Sequence, residues 1–143
     1  MREPVARKAL RRLLAALLVT VAGTGCAAPG ASGRNSSEIA IDRHAEGSTV
    51  SLRRGQRLIV SLPGNPTTGF VWEELPGAAP VLIRQGEPSY TTKGTALGAG
   101  GLYRFSYLAQ ETGQVPLRFV YRRPFEAGVV PGATFHVTVE VTQ

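Results

Sequence analysis

The feature that most constrains the fold of this chain is a two-residue alternation of apolar and polar side chains. It is most regular in residues 133–141, and residues 102–108 and 115–121 repeat it. Successive side chains of a strand point to opposite faces, so the pattern predicts strands with one buried face. The predicted inward positions are Tyr103, Phe105, Tyr107, Val115, Leu117, Phe119, Tyr121, Phe135, Val137, Val139 and Val141.

Earlier segments show the same alternation over shorter lengths, with glycine or proline turns between them. We expect a first strand around Ile39 and Ile41 that ends at His44, a strand in residues 70–75, and one irregular strand in residues 81–90. No segment keeps a 3.6-residue period over three turns. Regularly spaced short strands of this kind predict an all-β sandwich or barrel of about seven or eight strands, with no stable helix, in one domain of residues 38–143.

Residues 1–25 have the layout of an export signal. Basic residues precede an apolar run at 13–22, which is shorter than the ~20 apolar residues of a membrane-spanning helix. Small residues follow, and then Cys26, the only cysteine, which cannot form an internal disulfide. The arrangement resembles a bacterial lipobox, with Gly23 where an aliphatic residue is usual. We expect an exported envelope protein with a lipid on Cys26, or a secreted one without it.

The charge of the chain is concentrated in this predicted signal. The whole chain carries +6, but its first 25 residues contain five basic residues and one acidic residue, which leaves +2 for the remainder. The basic composition therefore does not indicate nucleic-acid binding. Residues 26–37 are small and polar without apolar periodicity, and we interpret them as a flexible tether.

A turn between two predicted strands contains an unusually large number of residues that restrict or permit particular backbone conformations. Asn65 and Pro66 are followed by Thr67, Thr68 and Gly69, and then by Phe70. Proline fixes φ, and the residue before a proline is pushed towards extended conformations. An Asn side chain can bond back to its own loop. This predicts a pre-shaped tip that presents two threonines, although an ordinary β-turn would use similar residues.

Two further loops have candidate binding residues. Gly98, Gly100 and Gly101 precede a predicted strand, and on composition a wide hairpin turn explains them equally well. No helix is expected to follow, so a dinucleotide-binding loop is excluded. Arg123, Pro124 and Phe125 follow another strand. Phe125 could anchor an interface or cover one end of the core.

The sequence lacks the residues of a catalytic centre. His136 falls on a polar strand face, and His44 is the only other histidine, which is too few for a zinc site. Glu73 and Glu74 are adjacent, so they point to opposite faces of a strand and cannot cooperate. We expect no enzymatic activity, no cofactor and no metal.

Taken in order, the three loops resemble those of the chagasin family of cysteine peptidase inhibitors. That family has an Asn-Pro-Thr-Thr-Gly-Phe/Tyr loop, a Gly-x-Gly-Gly loop and an Arg-Pro-Trp-like loop. This chain has residues 65–70, 98–101 and 123–125 in the same order, with Phe125 where a Trp is known. Phe keeps the apolar ring but lacks the indole N–H donor.

The resemblance implies an immunoglobulin-like fold whose three loops form a wedge at one end. The wedge would enter the active-site cleft of a papain-like peptidase as a reversible inhibitor, with residues 65–69 nearest the catalytic cysteine. Independently of the resemblance, we expect a monomer that meets membranes only through its lipid. The alternative is a non-catalytic immunoglobulin-like adhesion or assembly module of the bacterial envelope, because fold alone does not fix function.

Overall fold

The computed structural model describes residues 37–143. Nine strands lie in this part of the chain: β1 (Glu38–Asp42), β2 (Thr49–Arg53), β3 (Arg57–Gly64), β4 (Val71–Leu75), β5 (Leu82–Arg84), β6 (Ser89–Thr92), β7 (Gly101–Ala109), β8 (Gly113–Arg122) and β9 (Ala133–Thr142). Two short 3-10 helices, Arg43–Ala45 and Pro66–Thr68, are the only helical segments in the described part. The all-β prediction is confirmed.

The strands form two sheets. One has the order β1-β3-β7-β5, with β6 also paired to β7, and the other has the order β2-β9-β8-β4. β1 runs parallel to β3, and β2 runs parallel to β9, whereas the remaining pairs are antiparallel. The hairpin β8–β9 and the pair β3–β7 are the longest ladders.

The core lies between the two sheets, and the inward side chains predicted for β7, β8 and β9 form much of it. Phe105 of β7 packs on Phe119 of β8 with ring centroids 4.7 Å apart, and Phe119 also meets Phe135 at 6.1 Å. Offset aromatic pairs at such distances stabilise the fold beyond what the burial of their apolar area contributes. Fully buried neighbours include Leu52, Leu58, Val60, Leu62, Leu82, Tyr107, Leu117, Val137 and Val139.

A polar contact crosses the core between β7 and β4. The Tyr107 hydroxyl donates to Glu74 Oε2 at 2.8 Å. Burial and this hydrogen bond raise the pKa of Tyr107 above its ordinary range. Glu73 pairs instead with exposed Arg122 at 2.6 Å, so the two carboxylates point to opposite faces as predicted.

Three local predictions differ from the structure. The segment at residues 81–90 forms β5 and β6 rather than one strand, because the chain breaks at Gly86, whose φ is 76°. This split raises the strand count to nine. His44 lies in a 3-10 helix capped by Asp42, whose carboxylate accepts from the His44 N–H at 2.9 Å, and not on β1. β4 begins at Val71, one residue after Phe70.

Candidate functional site

Three loops meet at one end of the sandwich. We define the first loop as residues 65–70, the second as 93–100 and the third as 123–132. Strand register places them together: Gly64, before the first loop, pairs with Gly101, after the second. Val71, after the first loop, pairs with Arg122, before the third. The clustering implied by the family resemblance is confirmed.

The first loop is a capped 3-10 turn. Asn65 Oδ1 accepts from the Thr67 N–H at 3.1 Å and from Thr67 Oγ1 at 2.7 Å. Thr68 Oγ1 donates to the Asn65 carbonyl at 2.7 Å. Gly69 ends the turn with φ of 81°, a left-handed conformation that favours glycine. The two threonines are exposed at the tip, yet both hydroxyl protons are used within the loop.

Hydrogen bonds tie the first loop to the other two. Asn65 Nδ2 donates to the Gly98 carbonyl of the second loop at 2.8 Å. Arg123 Nε of the third loop donates to the Thr68 carbonyl at 3.0 Å. The Asn65 N–H donates to the Tyr121 hydroxyl at 2.8 Å. The three loops therefore form one connected surface rather than three independent turns.

Two of the predicted contact residues, Arg123 and Phe70, serve this connection. The Arg123 guanidinium lies 4.6 Å from the centroid of the Phe70 ring and also pairs with Glu126 at 2.9 Å. Phe70 stacks on Tyr121 with centroids 5.2 Å apart. Both side chains are partly buried. Their observed contacts are internal, and they hold the shape of the surface.

The glycines act in different ways. Gly98 has φ of 77° and open space around it. A Cβ on Gly101 would collide with the Thr91 carbonyl oxygen, and Gly100 lies close to the Gly64 carbonyl. Gly64 is an ordinary strand residue at the end of β3, without an unusual backbone angle. Its lack of a side chain provides space instead, since a Cβ would lie 2.8 Å from Tyr103 Cε2.

The tips of the second and third loops carry exposed apolar side chains. Phe125 is 73% exposed, and its ring edge lies over Gly69, where a Cβ would be 3.2 Å from Phe125 Cζ. The alternative that Phe125 covers the core is therefore wrong. Pro124 is also exposed, and Leu97 at the second loop is fully exposed.

Sequence reasoning missed three residues that support the loops. Tyr121 was assigned only to the core, yet its hydroxyl caps the Asn65 N–H. Trp72 Nε1 donates to the Pro63 carbonyl at 2.9 Å, and Glu126 holds Arg123. A Tyr or Trp near the end of a strand that borders a loop could have indicated them, because buried rings of these types need a polar partner.

The part of the chain that the structure describes, residues 37–143, contains no cluster of three or more potential metal ligands. His136 lies on the exposed face of β9 and pairs with Glu46 at 2.6 Å. No helix in this part of the chain has the length and apolar character needed to cross a membrane. The surface offers contact area and shape instead.

Known proteins share both the sequence pattern and the fold. The model of the chagasin family peptidase inhibitor I42 matches residues 51–139. Amoebiasin-1 of Entamoeba histolytica is 30% identical over 82 residues, which cover 54% of this chain and 74% of amoebiasin-1.

Two solved structures extend the likeness to three dimensions. The cysteine protease inhibitor EhICP2 from Entamoeba histolytica has a TM-score of 0.67 at 15% identity, covering 73% of this chain and 96% of EhICP2. PbICP-C, solved in complex with falcipain-2, has a TM-score of 0.52 at 20% identity, covering 73% of this chain and 98% of PbICP-C. At these identities the likeness establishes the fold.

The sandwich and its joined loops define an immunoglobulin-like domain that presents one loop-built end. The family match spans more than half of the sequence and includes all three loops. The chain belongs to the chagasin family of peptidase inhibitors.

Proposed function

We propose that this protein is a reversible inhibitor of papain-like cysteine peptidases and inserts its three loops into the active-site cleft. The observation that carries the proposal is the connection of three family motifs into one surface through Asn65 and Arg123. A loop surface fixed before binding loses little conformational entropy when it docks.

The first loop suits a groove that attacks extended peptides. Catalysis in such a groove needs the reacting atoms within ~3–3.5 Å and aligned. Residues 66–68 form a 3-10 turn, and Gly69 is left-handed, so the segment does not offer an extended peptide for attack. Thr67 and Thr68 use their hydroxyl protons internally, and in our proposal they fill the cleft floor through their small size.

The second and third loops would contact the cleft walls. Gly98 and Gly100 let the backbone approach closely, while Leu97 and Phe125 supply apolar area. A standard interface of roughly 1,600 Å² gains most of its energy from a few central residues. In this proposal the protein has no enzymatic activity of its own, and it acts as a monomer without a cofactor.

We further propose export and attachment to the bacterial envelope by a lipid on Cys26. The signal, Cys26 and nearly all of the tether lie outside the described residues, and the support is their sequence pattern. β1 runs parallel to β3, so Glu38 lies at the end of the sheet opposite the three loops. A chain that enters there is compatible with loops that face away from the membrane.

Inhibition constants against papain and against enzymes of the cathepsin L and cathepsin B types test the proposal. We expect reversible inhibition of at least one enzyme, and the recovered inhibitor should have an unchanged mass. Papain whose catalytic cysteine has been alkylated by a bulky cleft-filling reagent should no longer bind. Well-folded protein that inhibits none of the three at micromolar concentration would favour the adhesion or assembly module.

A further inference from the structure

In the part of the chain that the structure describes, the large exposed apolar side chains are concentrated in two loops. Within residues 37–143 the exposed large hydrophobic residues are Leu97, Phe125, Val129 and Val130, and all lie on the second and third loops. Leu97 and Phe125 adjoin the family motifs, whereas Val129 and Val130 do not. They are 59% and 84% exposed. Apolar side chains that cluster on an exposed surface, rather than occurring singly, mark interaction sites.

The two valines lie beside the wedge tip rather than on it. They line a small depression together with Arg122, Glu126 and Phe70. Arg122 belongs to the outward face of β8, where it pairs with Glu73 of β4. The valines therefore extend the loop surface from the tip towards the flank of the sheet that contains β4 and β8.

The backbone around the valines is held on both sides. The Glu126 N–H donates to the Arg123 carbonyl at 3.1 Å, and the Gly132 N–H donates to the Tyr121 carbonyl at 2.8 Å. Pro131 fixes its own φ between these anchors. Valine side chains are stiff at χ1, so the pair loses little freedom when a partner covers it.

We propose that Val129 and Val130 contact the rim of the peptidase cleft and determine which papain-like enzymes are inhibited. This inference rests on the proposed function. If the wedge enters a cleft tip first, its flank faces the rim. The groove must keep a shape that binds extended substrates, whereas the rim is free of that constraint. An apolar rim would bury the valines, and a charged rim would lose water without gaining a partner.

The experiment compares inhibition constants of the purified full-length protein and its variants against the same three enzyme types. Val129→Ser with Val130→Ser should weaken inhibition of at least one enzyme by about tenfold or more, and of another by less than about threefold. Val129→Thr with Val130→Thr keeps the branched shape and should lose less. Glu140→Gln, an exposed change on β9 at the end of the sheet away from the loops, should have no effect.

Three results would overturn the inference while leaving the proposed function intact. Equal inhibition constants for wild type and both double variants would show that the valines touch no enzyme. A loss of equal size for every enzyme would remove their role in selectivity. Valine-dependent binding to phosphatidylglycerol vesicles with unchanged inhibition would assign the pair to a lipid surface. If the serine double variant has a lower thermal unfolding midpoint than the wild type, the inhibition constants of the threonine double variant are used to test the inference instead. A wild type that inhibits nothing removes both proposals.

Discussion

Asn65 is the residue that integrates the candidate site. Its side chain caps the first loop through Oδ1 and reaches the second loop through Nδ2. Its backbone N–H meets Tyr121 below the third loop. Asp would keep the cap but lose the amide donor to Gly98, which explains why Asn suits this position.

Phe125 provides the largest exposed ring of the surface, and we predict that Phe125→Ala weakens inhibition by roughly 1–3 kcal/mol through lost apolar burial. Because the ring is 73% exposed, the free energy of unfolding should change little. Inhibition constants and thermal unfolding of the variant check both statements. A large loss of stability with unchanged inhibition would mean that the ring supports the fold instead.

For individual residues, the sequence showed which residue types occupy the loops but not where each side chain points. The motif order indicated Arg123 and Phe70 as peptidase contacts. In the structure Arg123 contacts Thr68 and Phe70 of the first loop, and Phe70 stacks on Tyr121 of β8. Such contacts depend on strand register, which joins residues more than 50 positions apart, and no local pattern encodes it.

The first loop and the turn between β2 and β3 each contain a glycine with a positive φ, so the two glycines can be compared. Gly69 and Gly55 both have left-handed φ values, 81° and 87°. A Cβ at Gly55 would meet nothing within 4 Å, whereas one at Gly69 would press against Phe125. We predict that Ala at either position costs about 1–2 kcal/mol of stability from the backbone strain. Only Gly69→Ala should also weaken inhibition.

Thermal unfolding and inhibition constants of the two glycine variants, measured side by side, separate strain from site geometry. Inhibition that falls equally in both variants would contradict the claim that the shape of the first loop matters beyond general stability. Gly55 lies next to β3 at the end opposite the loops, which makes it a suitable control.

The predictability of the elements followed their length. β7, β8 and β9 have nine or ten residues each, and their alternation correctly marked the inward faces. β5 and β6 have only three and four residues, so their alternation in the sequence could not be told apart from that of one longer strand. Their separation depends on Gly86 and on pairing with successive parts of β7, and that pairing is a property of the folded sheet.

For the whole molecule, the ends of the domain lie away from the loops. Glu38 opens β1 beside Arg57, and Thr142 closes β9 beside Arg53. A tether of residues 26–37 reaches at most roughly 40 Å when extended. A lipid on Cys26 would then keep the loops accessible while confining the domain near the membrane.

We predict that the mature protein carries a lipid mass on Cys26 and partitions into detergent, and that Cys26→Ala releases or mislocalises it. Mass spectrometry of the mature N-terminus and fractionation of cells check this. The inhibition constant of the released variant should match that of the wild type, because Glu38, where β1 begins, lies far from the loops. A soluble wild type that begins at another residue would contradict lipid anchoring.

In the proposed mechanism, the tip of the first loop fills a peptidase cleft. The most direct test is the inhibition constant of Thr68→Arg against an enzyme that the wild type inhibits. The long side chain should clash with the cleft floor and weaken inhibition about a hundredfold or more. Thr67→Arg should act similarly, whereas Thr68→Ser keeps the internal hydroxyl bond and should cost little. His136→Ala, on the exposed face of β9, should leave inhibition unchanged. A folded Thr68→Arg variant that inhibits as well as the wild type would contradict the claim.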